Sequence, residues 1–182
     1  MSEMFSRRVF LRGLGVVAAA AALTACSSTN EAVNQALIEG AVGGIVAADC
    51  KIGRSRYWAA NATVPVNEIS FRIVMTNVSS KPVTLSGDNF ATTLDGTPIP
   101  PFRFSARDVG DADIWRTYDS LTIRPGEERS VALAYEISQS TYDSWYRSSR
   151  TVAVSFTCGN QRVTYTKNSR SDEITVSDIE TL

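Results

Sequence analysis

Cys26 closes the tetrad Leu23-Thr24-Ala25-Cys26, and its thiol has the most clearly specified chemistry in this 182-residue chain. Small or apolar residues before it admit the backbone to a peptidase, and the thiol takes a lipid, which makes the tetrad a lipoprotein cleavage box. Upstream, Ser6-Arg7-Arg8-Val9-Phe10-Leu11-Arg12 carries the paired arginines of a twin-arginine export signal. Those charges hold their end of the segment on the cytoplasmic side. The 13 residues from Gly13 to Ala25 contain no charge. They fall short of the roughly 20 that span a bilayer as a helix, and so match the apolar region of a cleaved signal. Residues 1–25 are therefore expected to be removed, with Cys26 left as a lipidated N-terminus on the extracytoplasmic face of the cell membrane. Two or more acyl chains give a stable anchor where one holds weakly. The implied partners are the twin-arginine export and lipoprotein-processing machinery, and membrane lipid through Cys26.

Other reactive chemistry is sparse. There is no histidine in the chain, which removes the commonest general base, the usual nucleophilic triads and most zinc or copper sites. Gly-x-Ser-x-Gly, Walker and dinucleotide fingerprints are absent, and no cofactor is expected. The carboxylates Glu127-Glu128 and Asp111-Asp113 could pair for glycoside hydrolysis, although neighbours on a strand point to opposite faces, so Glu127-Glu128 reads as a solvated turn. Asp108-Val109-Gly110-Asp111-Ala112-Asp113 could gather oxygen ligands for calcium, or be a charged surface turn without the spacing of an EF-hand. No metal site and no enzymatic activity are expected.

Three segments combine the side chains that dominate binding hot spots: Arg54-Ser55-Arg56-Tyr57-Trp58, Trp115-Arg116-Thr117-Tyr118 and Tyr142-Asp143-Ser144-Trp145-Tyr146-Arg147. Trp58, Trp115, Arg116 and Trp145 are the candidates for contact with an extracytoplasmic protein or glycan at one end of the domain. The competing reading packs them into the core or its rim.

Loss of residues 1–25 takes the chain from 18 basic and 19 acidic residues to 15 and 18. The resulting modest negative charge excludes nucleic acid as a partner, which needs clustered positive charge. It also excludes a polybasic membrane-surface module. Residues 26–44, with Ser27-Ser28-Thr29-Asn30 near their start, read as a lipidated end and flexible tether. A short helix over 31–39 would be interrupted by Gly40, Gly43 and Gly44, and the folded domain is placed at 45–182.

There the pattern takes the period of a strand. Ile69, Phe71, Ile73 and Met75 share one face, while Ser70, Arg72 and Thr76 turn away. Val131, Leu133, Tyr135 and Ile137 repeat this, as do Val152, Val154 and Phe156. Shorter strands are expected over 46–52, 82–85, 90–94, 99–104, 119–123, 161–166 and 173–179. Asp95-Gly96 marks a tight hairpin and Pro125-Gly126 a second turn. One helical turn is expected over 141–146. Strands at short intervals without long helices predict an all-β fold, an antiparallel two-layer sandwich. On this phasing Cys50 joins the face of Val46, Ala48 and Ile52, and Cys158 that of Phe156. A Cys50–Cys158 disulfide is the expected arrangement, worth roughly 4–5 kcal/mol in the chain-entropy model. Two buried free thiols are the alternative, because a domain exported folded must be stable in a reducing cytoplasm.

Asn67 to Ile73, Asn77-Val78-Ser79-Ser80-Lys81-Pro82-Val83, Phe90 through Asp95-Gly96, and Leu121-Thr122-Ile123-Arg124-Pro125-Gly126-Glu127 resemble the telokin-like immunoglobulin-fold family of bacterial secreted proteins and lipoproteins. The resemblance spans residues 66–137 and implies an immunoglobulin-like extracytoplasmic module of unknown function, with no catalytic residues to transfer. The expectation is a noncatalytic binding module. A structural or assembly accessory factor of the cell envelope is the second reading.

Overall fold

Ile69, Phe71, Ile73 and Met75 do share a buried face, on strand β2 (Val66–Asn77), where each is at most 2 % exposed. The computed structural model describes residues 40–57, 63–101, 103–109 and 115–182. The signal segment with Arg7, Arg8 and Cys26, the tether to residue 39, Trp58, Asp111 and Asp113 lie outside them.

In one sheet β1 (Ile45–Tyr57), β2, β9 (Glu128–Glu136), β6 (Arg103–Asp108) and β7 (Arg116–Thr117) lie side by side in that order. The facing sheet runs β12 (Ile174–Val176), β11 (Gln161–Asn168), β10 (Thr151–Cys158), β4 (Phe90–Leu94) and β5 (Thr97–Ile99), with β13 (Glu180–Thr181) also pairing β11. A ribbon of β3 (Val83–Ser86) and β8 (Ser120–Ile123) stands apart. Every pairing among the described residues is antiparallel. With β1, β2, β4, β6, β9, β10 and β11 taken as strands A to G, the sheets read ABED and GFC. This is the constant-type immunoglobulin arrangement, here with β7 added beyond D, β5 beyond C, and β12 and β13 on G.

Aromatic rings fill the middle. Phe90 lies 5.1 Å from Phe156 and 6.1 Å from Phe71, and Tyr165 lies 5.6 Å from Phe71. Phe71 and Phe156 stand on the B and F strands, where antibody domains carry their inter-sheet disulfide. The two turns form as their residues dictate. Asp95 (φ 53°) and Gly96 (φ 80°) take the left-handed angles of a tight hairpin between β4 and β5. The amide of Glu127 closes the Pro125-Gly126 turn on the Arg124 carbonyl at 2.9 Å.

Three expectations are corrected. Residues 99–104 are not one strand: β5 and β6 belong to different sheets, and Pro100-Pro101 falls between them, where two missing N–H donors prevent continuous pairing. Strand β1 does not alternate without interruption. Its register with β2 passes from Ala48↔Val74 to Lys51↔Arg72, so one extra residue bulges out at Asp49, whose φ is 47°. Ile45 and Ala47 therefore join Cys50 and Ile52 on the core, and Val46 and Ala48 take the opposite phase.

The third correction concerns the disulfide. Both thiols turn toward the core as expected, yet both are free. Cys158 packs beside Gly43, its Sγ 3.8 Å from the Gly43 carbonyl oxygen. Cys50 instead lies within electrostatic reach of Tyr165 and Lys167 on β11. Gly43 precedes β1, whereas Cys50 lies five residues into that strand, so the two thiols meet different neighbours and form no bridge.

Candidate functional site

Two of the three arginine–aromatic segments converge. Helix α1 (Gln139–Ser144) starts at Ser138, whose hydroxyl accepts the Thr141 amide, and lies two residues earlier than expected. It lays its tyrosines over the end of β1. The Arg54 guanidinium carbon is 4.4 Å from the Tyr142 ring centre and 4.7 Å from that of Tyr146, and Arg54 donates to the Tyr142 carbonyl. Arg56 sits 4.2 Å over Tyr142, donates to Asn67 at 2.8 Å and pairs with Asp143 at 3.7 Å. Asn67 in turn donates to Gln139 at 3.0 Å. Each arginine is spent on holding the helix, so the cluster closes one end of the sandwich. Trp145, expected as a contact residue, is 2 % exposed and part of the core. Its position just after the last helical turn drives the indole inward while Tyr146, 61 % exposed, stays outside.

Trp115 is elsewhere. It precedes β7, and its half-buried ring lies on the outer, solvent-facing side of the first sheet, 5.6 Å from the Arg72 guanidinium and 5.0 Å from that of Arg107. Arg116 is exposed on β7 beside it. The ring borders a depression of about 260 Å³ whose lining includes Glu68, Ser70, Arg72, Arg103, Ser105 and Thr117.

Strand register explains the shape. On the outer face β9 presents two alanines in succession, Ala132 and Ala134, between Ser130 and Glu136: Ser70↔Ala134↔Arg103 form one row, and Arg72↔Ala132↔Ser105↔Thr117 the next. A central strand of small side chains leaves a furrow, and its walls on β2 and β6 stand about 10 Å apart, two strand spacings. Glu68 closes one end. This carboxylate is 5 % exposed, accepts from Arg103 at 3.0 and 3.2 Å, and takes the Ser55 hydroxyl at 2.7 Å. A buried carboxylate so matched is an anchored acceptor that orients the guanidinium.

Sequence reading found Trp115 and turned Arg72 and Ser70 outward, but it missed Glu68 and Arg103. The signal that could have found them is the pair Ala132 and Ala134, two small residues at successive outward positions of a strand otherwise rich in large ones.

The remaining candidates separate from this site. Asp108, the described member of the acidic loop, is paired with Arg129, which also holds Glu127 at 2.6 Å. Glu127 additionally accepts the Arg124 amide at 2.7 Å, and Glu128 accepts the Thr76 hydroxyl at 3.2 Å. Among the described residues no three histidine, cysteine or carboxylate side chains gather as metal ligands.

Fold and site together define an antiparallel β-sandwich of immunoglobulin topology with an arginine-walled furrow on one outer face. No family model matches the chain, and no curated protein matches it. Solved structures similar to it include an uncharacterised β-sandwich protein of Clostridium difficile 630, 15 % identical, covering 68 % of this chain and 83 % of that one with a TM-score of 0.41. The yjhA protein of Bacillus subtilis is 14 % identical over 62 % of this chain and 73 % of its own, with a TM-score of 0.39. A functionally unknown protein of Listeria monocytogenes EGD-e is 12 % identical over 62 % and 66 %, with a TM-score of 0.37.

Proposed function

We propose that the chain is a noncatalytic binding module of the telokin-like immunoglobulin type, held by lipid at Cys26 on the outer face of a bacterial cytoplasmic membrane, and that it captures an extracytoplasmic protein or glycan. The furrow carries this reading. Glu68, the carboxylate among its described lining residues, is committed to Arg103 and Ser55, so it recruits a guanidinium to the surface and holds it there as a recognition group. The thiols support the same view, because burial pushes Cys50 up to about 12 and raises Cys158, which leaves both protonated and unreactive near neutral pH. For the anchor, the support is the sequence around Arg7, Arg8 and Cys26.

Affinity capture from envelope extracts, with wild type compared against Arg72→Ala, tests the binding function. Retention of a ligand by wild type alone supports it. A hydrolysed glycan or ester whose turnover tracks one carboxylate or hydroxyl overturns it. Cys26→Ala tests the anchor: the variant is expected to lose its lipid and to be released or left unprocessed, and an anchored variant of unchanged mass defeats the lipoprotein assignment.

A further inference from the structure

Lys51 and Arg72 stand directly opposite each other across β1 and β2, both exposed, and neither forms an ion pair with a carboxylate among the described residues. Like charges in directly paired positions cost a sheet stability. The cost falls beside the furrow. Arg103 enters from the opposite wall, so Arg72 and Arg103 line the furrow with Lys51 just outside it, and the carboxylate among the described lining residues, Glu68, is already paired with Arg103. This concentration sits in a chain whose net charge is −1.

We propose that this furrow binds one carboxylate-bearing sugar ring of an acidic saccharide, which deepens the binding-module reading and rests on it. Arg72 supplies the direct charge-assisted contact to the sugar carboxylate, with Lys51 and Arg103 adding to the field. Hydroxyls of Ser70, Ser105 and Thr117 meet the ring hydroxyls, Ala132 and Ala134 give the flat floor, and the Trp115 indole bounds the far end. Size restricts the ligand to one unit, because about 260 Å³ is below the range of pockets that hold drug-sized molecules. Position argues for sugar over peptide. Extended peptides dock on sheets through the backbone groups of an edge strand, whereas this site lies mid-face, where backbone groups of β9 are already paired on both sides and only side chains are offered.

The test is a titration of the full-length Cys26→Ser chain followed through the Trp115 indole N–H resonance, with trigalacturonate, uncharged maltotriose, triglutamate and inorganic phosphate as probes. Saturable movement of that resonance by trigalacturonate alone is expected. Arg72→Ala, which relieves the like-charged pair with Lys51 and leaves the core untouched, is expected to melt at or above the wild-type temperature while weakening binding about ten-fold or more, the effect of one lost charge-assisted hydrogen bond. Arg124→Ala, exposed and outside the furrow, retains wild-type affinity. The inference is overturned by no saturable response, by an equal response to maltotriose or phosphate, by stronger binding of triglutamate, or by full affinity in Arg72→Ala. Envelope capture reads the broader binding function separately, so a ligand retained there alongside a failed titration would reject the saccharide and keep the module.

Discussion

Asp95 combines a backbone role and a side-chain role at the tip of one hairpin. Its positive φ helps make the turn, and its carboxylate reaches across to β10, accepting the Thr151 amide at 2.8 Å and the Arg150 guanidinium at 2.7 Å. The Arg150 and Thr151 hydrogen bonds hold its carboxyl below the ordinary value of about 3.9. A depressed folded value means that the ionised carboxylate stabilises the fold above the unfolded value and that this contribution is lost as pH falls through the folded one. Asp95→Asn is thus expected to lower the melting temperature between pH 5 and 7, with the gap from wild type closing in strongly acidic solution; a gap independent of pH would defeat the assignment. The thiols make a second case at this scale. In a Cys26→Ser chain, a thiol reagent at pH 8 is expected to modify Cys50 only as fast as the protein opens, and stoichiometric labelling of the native state within seconds would contradict its burial. Sequence reading turned both cysteines inward. It missed their separation because a single bulged residue resets the phase of β1 and pairing partners, invisible in one chain, decide which level of the core each side chain reaches.

Helix α1 shows what local patterning reveals and where it stops. Sequence reading placed a helical turn at 141–146, and the structure sets it at Gln139–Ser144 because Ser138 caps it two residues earlier. Local patterning could not tell which neighbouring aromatic enters the core, since Trp145 and Tyr146 are adjacent and only the angle at the helix end separates them. Trp145→Ala is expected to cost about 3–5 kcal/mol in chemical denaturation, as for other large aromatics removed from a core. Trp115→Ala, on an outer face, is expected to cost much less while weakening trigalacturonate binding as read by calorimetry, which does not depend on the indole. Similar losses from both would return Trp115 to a purely structural role. The strands themselves were legible wherever one face is buried, as in β2, β9 and β10, because burial on one side forces alternation. They were least legible where prolines or bulges interrupt pairing, at 99–104 and at 48–51. The furrow was half legible for a related reason: Trp115 and Arg72 are conspicuous residue types, but a cavity made by two alanines flanked by taller neighbours exists only once β2, β9 and β6 lie side by side.

At the scale of the whole molecule, the ABED and GFC sheets place β1 at an outer margin, where it pairs with β2 and has no ladder partner on its other side among the described residues. Thirteen residues is a long margin for a small domain. Unpaired strand edges are templates on which other chains can add, and a bulge is one of the means by which proteins blunt them. Asp49 supplies that means here. Deleting Asp49 would leave Ile45, Ala47, Cys50 and Ile52 facing inward, because removal of the extra residue restores the simple alternation on both sides of it. The fold is therefore expected to survive the deletion with a similar denaturation midpoint, while sedimentation shows concentration-dependent self-association that wild type lacks. Monomeric behaviour of the deletion variant would assign the bulge some other purpose. On this reading one misfit residue is a solubility device, and its carboxylate at the break adds charge where an incoming strand would have to lie.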